Sequence, residues 1–274
     1  MKKAINSVTF LLLVFIFFLS LSSAFSAAIS GLFYYSAYVV PVILAMLYFK
    51  ASEKDEIRPT ALRIMPDKKS ALFSIPFVFP FVAIVLLISF LTSLVLNTLG
   101  FSYATDVSGN IFAVITKHVL LPAFLEEAVF RFIPIALIAP YSKKNAVVIS
   151  SVFFAVVHCN LFQIPYALFA GLVLSYVALA TGSIFPAVAL HFLNNLSSVI
   201  LMRNDSLAFS IAFIAVLSSL AVVSVVFIII KREKYGELLR EIRREGATPE
   251  FTLAGLLFVF AMLFIGVFNL WTNF

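Results

Sequence analysis

The chain holds a single cysteine, Cys159. That excludes an intramolecular disulfide and any cysteine-rich metal site, and leaves Cys159 as a small packed residue. Charge is scarce too: 12% of the residues are Asp, Glu, Lys or Arg, against 63% hydrophobic. A soluble domain needs far more polar surface, so the soluble classes fall away. There is no His-Glu-x-x-His zinc motif and no Gly-x-Ser-x-Gly nucleophile turn. The apolar runs contain no aspartate, which removes the intramembrane aspartyl solution, a chemistry that needs two.

What is present is apolar length. Runs of about 20 hydrophobic residues recur along the chain, the mark of membrane-spanning helices, and mean hydropathy is +1.12. Nine candidate spans emerge, at 8–28, 32–49, 71–97, 111–138, 146–160, 162–181, 184–202, 207–230 and 251–272. The fifth is short, as expected of a tilted or half-buried segment. The predicted fold is all-α: a polytopic transmembrane bundle of about eight to nine spans, forming one membrane domain over 1–274 with a core block near 111–200. Lys2 and Lys3 precede an apolar run that exceeds the ~7–15-residue core of a signal peptide, which favours a retained first helix. The small residues Ser26, Ala27 and Ala28 keep cleavage open as the other reading.

The net charge of +6 reflects basic loops rather than nucleic-acid binding. With the N-terminus in the cytoplasm, the cytoplasmic segments hold Lys2, Lys3, Lys50, Lys54, Arg58, Arg63, Lys68, Lys69, Lys143, Lys144, Lys231, Arg232, Lys234, Arg240, Arg243 and Arg244. Those sixteen are all but three of the 19 basic residues, as the positive-inside rule requires. The expected location is therefore the cell (plasma) membrane, multi-pass, with a cytoplasmic N-terminus. Residues 231–250 are expected to carry the eighth helix on into water, with a basic face near anionic lipid.

Most spans are chemically silent. Glu126 and Glu127 are the only two acidic residues inside a span. His118, His158, His191, Arg131, Asn194 and Asn195 fall in the same block. A charge near the bilayer centre costs ~2.5–3.5 kcal/mol on insertion scales, so this group must face the bundle interior or a wet cavity. A structural polar network would explain any one of these residues; the whole set points to a site. Glu127 and Arg131 are i,i+4 and can pair on one helix face. Glu126 points ~100° away from Glu127, toward a different neighbour. His191 and Asn195 share a face by the same spacing, and Phe154 lies one turn below His158. At ~1.5 Å per residue these groups converge near mid-membrane, a depth compatible with a cytoplasmic-side opening.

Peptide hydrolysis without a covalent intermediate needs an activated water and a stabilised oxyanion. A carboxylate in apolar surroundings makes the better base, which suits Glu126, with His158 holding the same water. Fixed donors in a low-dielectric site stabilise an oxyanion, which suits His191 and Asn195. No cofactor is required, although a zinc site built from Glu126, His158 and His191 is chemically possible.

At these residues the sequence resembles the CPBP intramembrane proteases, which include the type II CAAX prenyl endopeptidases and bacteriocin-processing enzymes. Their three motifs stand here as Glu126-Glu127-Ala-Val-Phe-Arg131, Phe154-Ala-Val-Val-His158 and His191-Phe-Leu-Asn-Asn195. The stretch from Thr181 to Asn195 also looks like prokaryotic members. The resemblance covers about 111–200. One departure is Phe132, where many prokaryotic relatives have Gly. The resemblance implies a metal-free mechanism. Glu126 would be the general base, helped by His158, and His191 and Asn195 the oxyanion site. Glu127, Arg131 and Phe154 would be supporting residues.

The expected function is therefore intramembrane endopeptidase, acting on a peptide or membrane-anchored protein substrate in the lipid bilayer, with prenylated CAAX-type and leader peptides both open. The competing readings are a proton-coupled transporter, using the same residues as a relay, and a non-catalytic membrane scaffold. His118 matches no motif and is expected at the interface or in packing. Asn194, one position off the matched face, is expected to cap or bridge helices.

Overall fold

A computed structural model describes residues 1–51, 62–245 and 249–272. Lys54 and Arg58 of the basic set lie outside the described residues. Every span expected from hydropathy is a helix. These are α1 (Lys2–Ala24), α2 (Ala27–Ala51), α3 (Lys68–Thr98), α4 (111–138), α5 (Lys143–Val156), α6 (Ile164–Thr181), α7 (Phe185–Met202) and α8 (Leu207–Ile230). Short helices α9 (Arg232–Tyr235) and α10 (Glu237–Arg244) precede the last span, α11 (Leu253–Thr272).

Among the described residues, 7 helices are long and apolar enough to cross a membrane. The two remaining spans are α4, which π-turns interrupt, and α5, whose 14 residues rise only ~21 Å, short of a ~30 Å hydrocarbon core. Lipid takes the place of a protein core on the outside. The apolar window of α8 has a hydropathy of 3.0 yet is 11% buried, so its Leu, Ile and Val side chains face acyl chains.

The interior is a continuous apolar cluster around Phe130, Phe153, Phe154, Leu174 and Leu190. α1 and α2 pair and reach it through Phe15, whose ring meets those of Tyr38 and Phe130 edge-on at 5.0 and 5.4 Å. α5 and α6 approach closely at Gly171, where a Cβ would sit 2.8 Å from the Ser151 Cα. α6 ends at Gly182, whose φ of +61° makes the left-handed cap that a glycine adopts without strain.

Two expectations are corrected here. Residues 231–245 do not extend α8 into water. The helix breaks at Lys231, and α9 and α10 fold back onto the bundle, burying Tyr235 and Leu238. Tyr235 is drawn in because its ring meets Phe73 at a tilt and Phe77 edge-on, and its carbonyl accepts from the Tyr176 hydroxyl. In addition, α5 stops at Val156, so His158 lies in the turn after the helix, not within a span reaching 160.

Candidate active site

α4 carries the paired glutamates, and its prolines shape it. Pro122 and Pro134 lack the N–H that would serve the carbonyls of His118 and Phe130 four residues back, and their rings crowd those carbonyls. The helix widens there into π-turns at Thr116–Leu120 and Ala128–Phe132. Such turns recur at functional sites. The Phe130 carbonyl, deprived of Pro134, accepts instead from the Ser150 hydroxyl, itself 3.1 Å from Ser175 Oγ. One short polar chain thus ties α4, α5 and α6 together behind the glutamates.

The two glutamates part as the helical turn requires. Glu127 and Arg131 have side chains 0% exposed, with Arg131 Nη1 3.2 Å from Glu127 Oε1. Distance makes this an ion pair. The N–H directions are not aligned, however, and no guanidinium nitrogen makes a hydrogen bond among the described residues. The guanidinium lies instead on the Phe154 ring, 3.8 Å from its centroid, where a desolvated cation is well placed. Phe154 is also edge-on to His158 at 4.9 Å and to His191 at 5.9 Å. Its ring is the spacer around which the charged groups are arranged.

Glu127 has a second partner that spacing along one helix cannot reveal. His191 Nδ1 donates to Glu127 Oε1 at 2.8 Å, across 64 residues of sequence. This fixes the ring and leaves Nε2 facing Glu126, 3.8 Å from its Oε2. His158 is fixed by the end of α5. With the helix finished, the Phe154 carbonyl has lost its backbone donor, and His158 Nδ1 donates to it at 2.7 Å. Cys159 then turns the chain with a positive φ of 47°. In a neutral ring that bond leaves His158 Nε2 as an acceptor.

Glu126, Phe154, His158, His191 and Asn195 all line one cavity of about 990 Å3. Glu127 and Arg131 are sealed behind it. The structure therefore brings together the residues singled out from sequence and divides them into a set that lines the cavity and a pair sealed behind it. Asn195 Oδ1 accepts from Asn194 Nδ2 at 3.2 Å, leaving the Asn195 amide nitrogen for the cavity. Asn194 is buried, and its own Oδ1 has no hydrogen-bond partner among the described residues.

Several lining residues carry no signal in the sequence. Tyr34 and Tyr166 line the same cavity as Glu126. A tyrosine in an apolar span is too common to single out. His118, expected at the interface, lines the cavity beside Lys117. Among the described residues no three His, Cys, Asp or Glu side chains converge in a geometry that would hold a metal ion. One nitrogen of each ring is already committed, His191 to Glu127 and His158 to Phe154.

The cavity runs from Glu126 to Thr105 and Val107, in the segment joining α3 to α4, and to Met202 at the end of α7. None of its lining comes from the basic ends of the helices, so the opening toward that side, compatible with the depth of the residues, is not found. No curated protein and no solved structure matches the chain. Residues 118–197 match the family model for Rce1-like proteins, type II CAAX prenyl endopeptidase Rce1-like, and the resemblance that the three motifs carry to the CPBP family holds across that block.

Proposed function

We propose that this chain is an intramembrane protease of the CAAX endopeptidase type, hydrolysing a peptide bond with water activated by Glu126. The observation that carries this reading is the division of two adjacent glutamates. Glu127 is sealed with Arg131 behind His191, whereas Glu126, 18% exposed, opens onto the cavity that His158, His191 and Asn195 also line.

In this mechanism a water lies between Glu126 Oε2 and His158 Nε2. Glu126 takes one of its protons as the oxygen attacks the peptide carbonyl carbon. The carbonyl oxygen becomes an oxyanion and accepts from the Asn195 amide and from His191 Nε2. Donation from Nε2 requires a doubly protonated ring, because Nδ1–H is already given to Glu127, and the two flanking carboxylates supply the countercharge. As the C–N bond breaks, the proton held by Glu126 passes to the leaving amine. The sum is one water consumed, one acid and one amine released. Glu127, Arg131 and Phe154 hold His191 in place throughout.

The partner is a peptide or membrane-anchored protein segment. The full chain, 1–274, acts as one membrane domain in the cell membrane, with a cytoplasmic N-terminus. A proton-coupled transporter using the same residues would need a second state open to the other face; peptide cleavage is what separates the two readings. The test is purified protein in detergent with a randomised peptide library, read by mass spectrometry. Wild type is expected to release products, and Glu126→Gln none above background. An active Glu126→Gln protein would overturn the general-base role. Dialysis against a strong chelator is expected to leave turnover unchanged; inactivation reversed by zinc would move the site to metal catalysis.

A further inference from the structure

The cavity lining reaches one end of the bundle, and the charges say which face of the membrane that end is on. Its lining includes Ser30 near the start of α2, Thr105 in the α3–α4 connection, Phe112 at the start of α4, Gln163 just before α6 and Met202 at the end of α7. Helices alternate in direction along the chain, so these positions all lie at the same end of the bundle. Phe112 and Met202 are 78% and 54% exposed, which puts that end of the cavity at the surface.

The connections at this end are 25–26, 99–110, 157–163 and 203–206, and their only basic residue is Arg203. Arg203 is occupied in holding the α3–α4 segment, donating to the carbonyls of Val107 at 2.7 Å and Gly109 at 3.1 Å. The opposite end carries Lys2, Lys3, Lys50, Lys143, Lys144 and the basic face of α9 and α10. Among the described residues that end lends nothing to the cavity lining and is tied together by hydrogen bonds. Arg63 and Ser70 both donate to the Thr181 carbonyl, and Glu245 caps the start of α5 through Ser142, Lys143 and Lys144. Short basic connections stay in the cytoplasm, so the basic end is placed in the cytoplasm and the end that the cavity reaches on the other face.

We propose that the site takes its substrate from the non-cytoplasmic face: an extended peptide segment of an exported or membrane-anchored protein, rather than a cytoplasmic C-terminus. The word substrate rests on the protease reading above; the side of access does not. Depth sets a minimum length. Glu126 is 15 residues into α4, about 22 Å along its axis. An extended chain covers ~3.3–3.6 Å per residue, so roughly six or seven residues must enter before the scissile bond reaches Glu126. The walls they pass carry aromatic rings, Tyr34, Phe81, Phe112 and Tyr166 among them, beside the polar side chains of Lys117, His118 and Gln163. They fit a segment with bulky side chains that also offers hydrogen-bonding groups.

Two measurements on the full chain test this. In a Cys159→Ser background with wild-type turnover, cysteines are placed at Thr105 and Asn204 on the mouth side and at Lys69 and Arg244 on the other. A membrane-impermeant maleimide added to intact cells is expected to label the first pair at least tenfold more than the second. The reverse pattern overturns the proposal. The second measurement uses randomised 12-residue segments fused beside a membrane anchor, displayed on either face of the membrane. Cleavage is expected only for the non-cytoplasmic display, and none with Glu126→Gln. Cleavage of the cytoplasmic display would overturn the proposal. Outward labelling with no cleavage of any peptide, in cells or in detergent, would remove the protease reading and the substrate class with it, while leaving the side of the mouth established.

Discussion

Removing Arg131 separates what holds the site together from what it does. Arg131 and Glu127 are both fully enclosed, 3.2 Å apart, and the guanidinium fills the space over Phe154. Arg131→Ala takes the permanent cation from the buried Glu127 carboxylate and leaves it the bond from His191 alone; breaking a buried pair costs about 3–5 kcal/mol, and the change also opens a void beside Phe154. Arg131→Met in combination with Glu127→Gln removes both charges and keeps most of the volume. Replacing a whole buried pair by neutral groups is often close to neutral, so the double variant is expected within ~1–2 kcal/mol of wild type. Its activity should not recover, because His191 Nδ1 no longer has a carboxylate to hold and charge-balance the ring. Equilibrium unfolding in detergent gives the stabilities, and peptide turnover of the same preparations gives the activities. Two results would refute this reasoning: Arg131→Ala protein as stable as wild type, or a double variant no more stable than Arg131→Ala.

Other substitutions probe single contacts. Asn195→Ala should lower turnover by roughly 10²–10³, the cost of one oxyanion donor, with KM little changed; His158→Ala should be more severe, since the water loses its second anchor, and equal turnover in the two would undo the assignment. Gly171→Val places a side chain against the Ser151 backbone, where even a Cβ would come within 2.8 Å; it should cost about 1–3 kcal/mol by overpacking, measurable as a lowered Tm, and an unchanged Tm would contradict the close α5–α6 approach. Glu245 is partly desolvated, which alone would raise its pKa, but bonds from Ser142, Lys144 and Lys143 hold the carboxyl below its ordinary 4.5. Its contribution to docking α10 on α5 is therefore present above pH 4.5 and lost as pH falls through the lower folded value; Glu245→Gln should flatten that acid limb of the Tm-against-pH curve, and an unaltered curve would remove the capping role.

Much of this protein was legible from the order of its residues. Hydrophobic runs must be helices in lipid because no water is there to serve the backbone, so the 7 crossing helices among the described residues followed from apolar length alone. The cost of charge in the bilayer made Glu126, Glu127 and Arg131 conspicuous, and helical spacing was enough to pair Glu127 with Arg131 and to turn Glu126 away. These are local properties, set by neighbours within one or two turns. The tertiary structure decided everything that depended on which helix lies beside which. The bond from His191 to Glu127 joins groups 64 residues apart; the carbonyl of Phe130 finds Ser150 only because α5 lies behind the π-turn. Residues 231–245 look soluble by composition, yet Tyr235 folds them back against α3 and α6, with Leu238 buried beside it in the chain, a contact no periodicity encodes. The cavity follows the same logic. Each residue's depth could be counted along its own span, but the mouth is made by the ends of several helices and the α3–α4 connection, and only their packing determined at which end of the bundle it opens.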